Sequence, residues 1–178
     1  MHSKLPLLFI AHSHRDSEAA LALIALIEYA FDRKVDTFCT SKPRDKIRNV
    51  RRLPPFRDER GRLYQFKDDV LLGDRIAEAM APAGYVVVLH TPQSMGRDWV
   101  QLETDIALIF GRPGRRAAIC LAQGACWGDH AYHEKYNPVF DLSYLPSALL
   151  FVEDVAKWFG TPLIHSDIDP NLSLFKID

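Results

Sequence analysis

Apolar residues in this chain fall into short bounded runs that alternate with stretches of helical periodicity. Leu7-Leu8-Phe9-Ile10-Ala11 is continuously apolar and closed by polar residues, the pattern of a parallel strand buried on both faces. Ser17-Glu18 can open a helix, after which Leu21, Ile24, Ile27 and Phe31 recur at helical spacing up to Asp32-Arg33-Lys34. Residues 35–40 predict a second strand. Residues 68–80 predict a helix with Val70, Ile76, Ala77 and Met80 inward and Asp68 and Asp69 near its positive N-terminus. Tyr85-Val86-Val87-Val88-Leu89 is the clearest strand, β-branched and apolar on both faces, and Thr91-Pro92-Gln93-Ser94 ends it. A helix is expected over 99–110, stopped by Gly111-Arg112-Pro113-Gly114. Residues 117–122 predict a fourth strand, and residues 149–159 fit strand and helix equally by periodicity.

Strand and helix alternate, so the expected fold class is α/β, a mainly parallel central sheet flanked by helices. In such sheets ligands sit outside the carboxyl ends of the strands. That rule nominates His12, Ser13 and His14 after the first strand, Phe38 and the loop after it, and the segment from Thr91 to Trp99.

Composition changes the picture only locally. The 178 residues suit one domain, and 48% apolar with 25% charged residues is ordinary for a globular chain rather than a disordered one. No run approaches the roughly 18 apolar residues of a membrane span, and 5–10 is too short and too soon interrupted for a signal peptide. Three cysteines without framework spacing, Cys39, Cys120 and Cys126, suit a reducing compartment, so a cytoplasmic location is expected. The net charge of −1 is uneven: residues 42–62 hold nine basic and three acidic residues, +6, leaving −7 for the remainder. Pro43, Pro54, Pro55 and Gly61 exclude long regular structure from this basic loop, taken as 42–67. Contact with an acidic neighbouring subunit or plain solvation suits it better than gripping a pyrophosphate, and Phe56 alone gives little support for nucleic acid. Cys120, Cys126, His130 and His133 lack a structural-zinc spacing, so no metal is expected.

Three motifs in order resemble the TIR (Toll/interleukin-1 receptor-like) family. Phe9-Ile10-Ala11-His12-Ser13-His14-Arg15-Asp16 resembles its opening strand and polar loop. Val86, Val88 and Leu89, followed by Thr91-Pro92-Gln93-Ser94, resemble its central strand and exit. Trp99-Val100-Gln101-Leu102-Glu103 with Ala107 is similar to the Trp-x-x-x-Glu-x-x-x-Ala helix of catalytic members, the bacterial NAD-cleaving type. The resemblance covers roughly residues 5–121. It departs where Asp69 stands seven residues before Ile76, a place the family usually gives to glycine, and in the long basic loop.

The resemblance implies a flavodoxin-like TIR domain over 1–165 with a tail or linker over 166–178. It also implies an NAD glycohydrolase giving nicotinamide and ADP-ribose or a cyclic isomer in a defence or signalling context, including antiphage defence. Such domains act when assembled, so self-association or other TIR domains are the implied partners, with NAD as substrate and no further cofactor. Glu103 would be catalytic, and His12, Ser13, His14, Phe38 and Trp99 would contact substrate. On a helix Trp99 and Glu103 share one face, and a fixed carboxylate beneath an oxocarbenium-like state lowers the barrier to glycosidic cleavage. Asp16 is expected to cap the following helix or order the loop rather than to perform catalysis. The rival readings are a non-catalytic TIR adaptor acting through assembly and a nucleoside deoxyribosyltransferase-like enzyme.

Overall fold

The computed structural model describes residues 4–39, 56–57, 63–64, 80–93, 114–126 and 138–175. Its centre is a five-stranded, all-parallel sheet. β1 (Leu7–Ala11) leads through a short 3-10 turn into helix α1 (Ser17–Ala30), which returns the chain to β2 (Asp36–Phe38) beside β1. A small antiparallel hairpin, β3 (Phe56–Arg57) and β4 (Leu63–Tyr64), lies within the basic stretch; its two-residue strands suit a segment interrupted by proline and glycine. The sheet resumes with β5 (Tyr85–His90), β6 (Arg116–Leu121) and β7 (Val139–Asp141), and helix α2 (Leu145–Phe159) follows. The strand order is β2-β1-β5-β6-β7, with β1 between β2 and β5. Among the described strands the chain therefore moves outward from β1 first to one side and then to the other. The point of reversal is the crevice between β1 and β5.

The sheet is covered on one face by both described helices. Leu8, Ile10, Tyr85, Val87, Leu89, Ala118 and Cys120 point to α1 and α2, while Phe9, Ala11, Val86 and Val88 join Met80 and Ala83 on the other. All six residues of β5 are buried, which accounts for its uninterrupted apolar run. The same logic explains why 149–159 resists a reading by pattern. The segment is the last eleven residues of α2, and it mixes buried Phe151, Val152 and Val155 with exposed Leu150 and Trp158. The boundaries of α2 are conventional: Pro146 sits in its first turn, Lys157 in its last, and Gly160 closes it in the left-handed conformation at φ 61°.

Of the residues that recur at helical spacing in α1, Ile24, Ile27 and the C-capping Phe31 are buried, while Leu21 is 42% exposed; Leu23, Leu26, Ala19, Ala20 and Ala30 complete the buried face. The buried face of α1 is broad and partly built of alanine, so a strict three-residue step of large residues misjudges its centre. Of the two roles expected of Asp16, capping is not the one it plays: it stands at the N-cap position of α1 without a capping hydrogen bond, and its carboxylate instead ties its loop to Thr91. The helices expected over 68–80 and 99–110 lie outside the described residues, apart from helical Met80. No helix among the described residues is long and apolar enough to cross a membrane.

The stretch after α2 packs on the domain. Ile164 and His165 N–H groups meet the Ala30 carbonyl at 2.8 and 3.2 Å, Ser173 Oγ donates to the Glu18 carbonyl at 3.3 Å, and Leu174 is fully buried. Residues 164–174 thus run back along α1 from its end to its beginning.

Candidate functional site at the carboxyl edge of the sheet

Parallel pairing fixes which loops meet. Ala11 is in register with Val88, so His12, Ser13 and the 3-10 turn of His14–Asp16 emerge beside His90, Thr91 and Gln93 at the reversal point of the sheet. This is where an open α/β sheet leaves a crevice for a ligand.

The two loops are joined by one contact. Thr91 is fully buried and its hydroxyl donates to Asp16 Oδ1 at 2.5 Å, across 75 positions of sequence. The same hydroxyl accepts from the Gln93 N–H at 3.2 Å, which turns the chain after β5. Asp16 is only 3% exposed, and its other oxygen, Oδ2, meets no hydrogen-bond donor among the described residues. A carboxylate stripped of water normally gathers several donors. One that holds an oxygen in reserve stands out as a group with acceptor capacity beyond what the fold uses.

His12 lies beneath this edge and is 4% exposed. Its Nδ1 is 3.4 Å from the Ile10 carbonyl, and the Cys39 sulfur is 3.7 and 3.8 Å from its two ring nitrogens. Cys39 is itself fully buried in the larger apolar cluster, so it packs rather than presenting a nucleophile. Ser13 is half-buried and orders its own loop, its side chain accepting from the Arg15 N–H at 3.3 Å and its carbonyl from the Asp16 N–H at 2.9 Å. His14 opens the 3-10 turn. Phe38, at the end of β2, is half-buried and stacks on Phe9 with ring centroids 5.3 Å apart. His12, Ser13 and His14 thus gather with Asp16 and Thr91 at the β1/β5 edge, with Phe38 at the end of the neighbouring strand. Glu103 and Trp99 lie outside the described residues.

Asp16 and Thr91 are the members that residue-by-residue reading undervalued. The only local signal was the carboxyl-edge rule, which nominates Thr91 by position; the partnership with Asp16 follows from strand order alone. Among the described residues no cluster of three or more His, Cys, Asp or Glu side chains could hold a metal ion.

No family model matches the chain, and neither a curated protein nor a solved structure does. What the site can do is therefore argued from its residues.

Proposed function

We propose that this chain is a TIR-like domain that cleaves the nicotinamide–ribose bond of NAD, with Glu103 as the catalytic carboxylate. The observation that carries the reading is the meeting of the His12–Asp16 loop and the Thr91–Gln93 segment at the reversal point of a parallel sheet, held by Asp16 and Thr91. The Trp99-Val100-Gln101-Leu102-Glu103 motif, which resembles the catalytic helix, begins six residues beyond Gln93 in the sequence.

In this mechanism the bond from ribose C1′ to the nicotinamide nitrogen breaks, and its electron pair leaves with neutral nicotinamide. Positive charge then spreads over C1′ and the ring oxygen. The negative charge of Glu103 stabilises that state, and the indole of Trp99 is the wall against which the substrate is placed. Water adds at C1′ and loses a proton to give ADP-ribose, or a nucleophile in the adenosine half closes a cyclic isomer. His12, Ser13, His14 and Phe38 contribute to the substrate-facing edge. The setting is cytoplasmic defence or signalling, including antiphage defence, with activity favoured by self-association or by contact with other TIR domains. The +6 basic segment meets the acidic body of a neighbouring copy.

Concentrated protein incubated with NAD, with products resolved by chromatography, tests the reading. Wild type should release nicotinamide, and Glu103→Gln should lose at least about 10²-fold in rate, the scale of one electrostatic group in an active site, while remaining folded. Rate per molecule should rise with concentration and fall with salt, because exposed charge pairs are screened over about 8 Å at physiological ionic strength. A folded Glu103→Gln protein cleaving at the wild-type rate removes the mechanism. A wild type that leaves NAD intact even when assembled gives the domain to the adaptor reading.

A further inference from the structure

Away from the carboxyl edge, the returning segment 164–174 does not close fully onto α1. Between them lies a cavity of about 490 Å³, within the roughly 300–1,000 Å³ range of small-molecule sites. Leu26, Ile168 and Leu172 give it an apolar interior, and Asp167 and Asp169 line it as well. On α1 the cavity meets Ala25 and Tyr29, which with Leu21 form an outward stripe at four-residue spacing; Leu21 and Tyr29 are 42% and 47% exposed.

The two carboxylates are oriented in advance. Asp167 Oδ2 accepts from the Tyr29 hydroxyl at 3.0 Å, and Asp169 Oδ1 accepts from the backbone and side-chain nitrogens of Asn171 at 2.9 and 3.0 Å. Each therefore uses one oxygen on an internal donor, and the other meets no donor among the described residues. Both carboxylates are exposed, and neither forms an ion pair among the described residues. The Tyr29 ring is fixed in turn by stacking on His165, centroids 4.5 Å apart. An apolar cavity bordered by two held carboxylates and an aromatic ring is complementary to a ligand with an apolar body and one positive group.

We propose that this groove is a binding site for a small amphiphilic cation, an alkyl or aryl amine or quaternary ammonium, independent of the NAD-cleaving reading. Its apolar body fills the space beside Leu26, Ile168 and Leu172, and its cationic group meets the uncommitted oxygens of Asp167 and Asp169.

The test is titration of the full chain with n-hexylammonium chloride, followed by the amide resonances of Ala25, Ile168 and Leu172, with 1-hexanol as the neutral isostere and hexanoate as the anionic one. Hexylammonium should shift those resonances saturably and bind at least about fivefold more tightly than hexanol, with hexanoate weakest; the margin is set by the modest worth of exposed charge pairs. Asp167→Asn with Asp169→Asn keeps the internal hydrogen-bond acceptors and should bring hexylammonium to the level of hexanol. Ala25→Trp fills the groove from an exposed helix position and should abolish binding of both. Absence of saturable shifts, equal binding of amine and alcohol, or indifference to Ala25→Trp would each overturn the site. A response to a Lys-Leu-Lys peptide without any response to hexylammonium would overturn it too, in favour of a protein partner.

Discussion

At the amino ends of β5 and β6, Tyr85, Arg116 and Asp154 are tied by three contacts of 2.6 Å: the Tyr85 hydroxyl to Asp154 Oδ2, and a two-pronged Arg116 fork to both carboxylate oxygens. Arg116 also lies 5.8 Å from the centre of the Trp158 ring, whose N–H donates to the Gly84 carbonyl at 2.9 Å. At the carboxyl ends of β1 and β5, by contrast, buried Asp16 takes a hydrogen bond from Thr91 through one oxygen, and the other meets no donor among the described residues. Both edges hold a shielded carboxylate, but only the first has a donor on each oxygen. A carboxylate with donors on both oxygens serves the fold, whereas one with a bare buried oxygen costs free energy that the fold alone does not recover. The first end is engaged in holding the fold, and the second keeps acceptor capacity that the fold does not use.

The largest expected effect tests the structural end. Asp154→Ala should cost about 3 kcal/mol, because it strands the buried Tyr85 hydroxyl and half-buried Arg116 together. Urea unfolding measures it, and a cost below about 1 kcal/mol would show that the network is ornamental. If the proposed NAD cleavage holds, its rate at temperatures where both proteins are folded should be nearly unchanged.

Thr91→Val is the matching change at the other edge and should cost about 2 kcal/mol, since the isosteric side chain leaves a buried carboxylate without its Thr91 donor. Thr91→Ser should restore most of that stability. Equal stability for the valine and serine variants would mean that the hydroxyl does not hold the two loops together.

A third measurement reads the network through pH. Burial first, then the Asp154 hydrogen bond, pushes the Tyr85 phenol far above its ordinary range. Its folded form therefore stays protonated where the unfolded form ionises, and the associated stability is intact below about pH 10 and lost as pH rises beyond it, at up to about 1.4 kcal/mol per pH unit. Burial also raises the Cys120 thiol, which adds a loss of the same sign beginning near its own unfolded value. Denaturant unfolding between about pH 9 and 11 should show the decline, and Tyr85→Phe should make it shallower. An unchanged slope would separate Tyr85 from the alkaline response.

The smallest stability effect is expected from Asp16→Asn, within about 1 kcal/mol, because the amide keeps an acceptor for Thr91 and removes a buried charge. If NAD cleavage is the activity, the loss of rate, expressed as free energy, should exceed the loss of stability when both are measured on one preparation. If stability falls as far as in Asp154→Ala with turnover intact, the two edges are alike and the comparison fails.

Local pattern determined a good deal here. β1, β5 and β6 were legible because a strand covered on both faces must be apolar at nearly every position, and that demand falls on consecutive residues. The carboxyl-edge rule then placed His12, Ser13, His14 and Thr91 at one end of the sheet without any contact being known. Short β7 was not legible, since Val139-Phe140-Asp141 is three half-buried or exposed residues whose strand state comes from pairing with β6. Nor was the state of 149–159, where helix follows from packing onto the sheet. Only tertiary structure decided that Asp16 would meet Thr91 rather than cap α1, that Asp154 would serve Tyr85 and Arg116, and that 164–174 would fold back along α1. Each depends on groups far apart in the chain. Their spacing is set by strand order, and side-chain chemistry names a partner only after the sheet has brought one within reach.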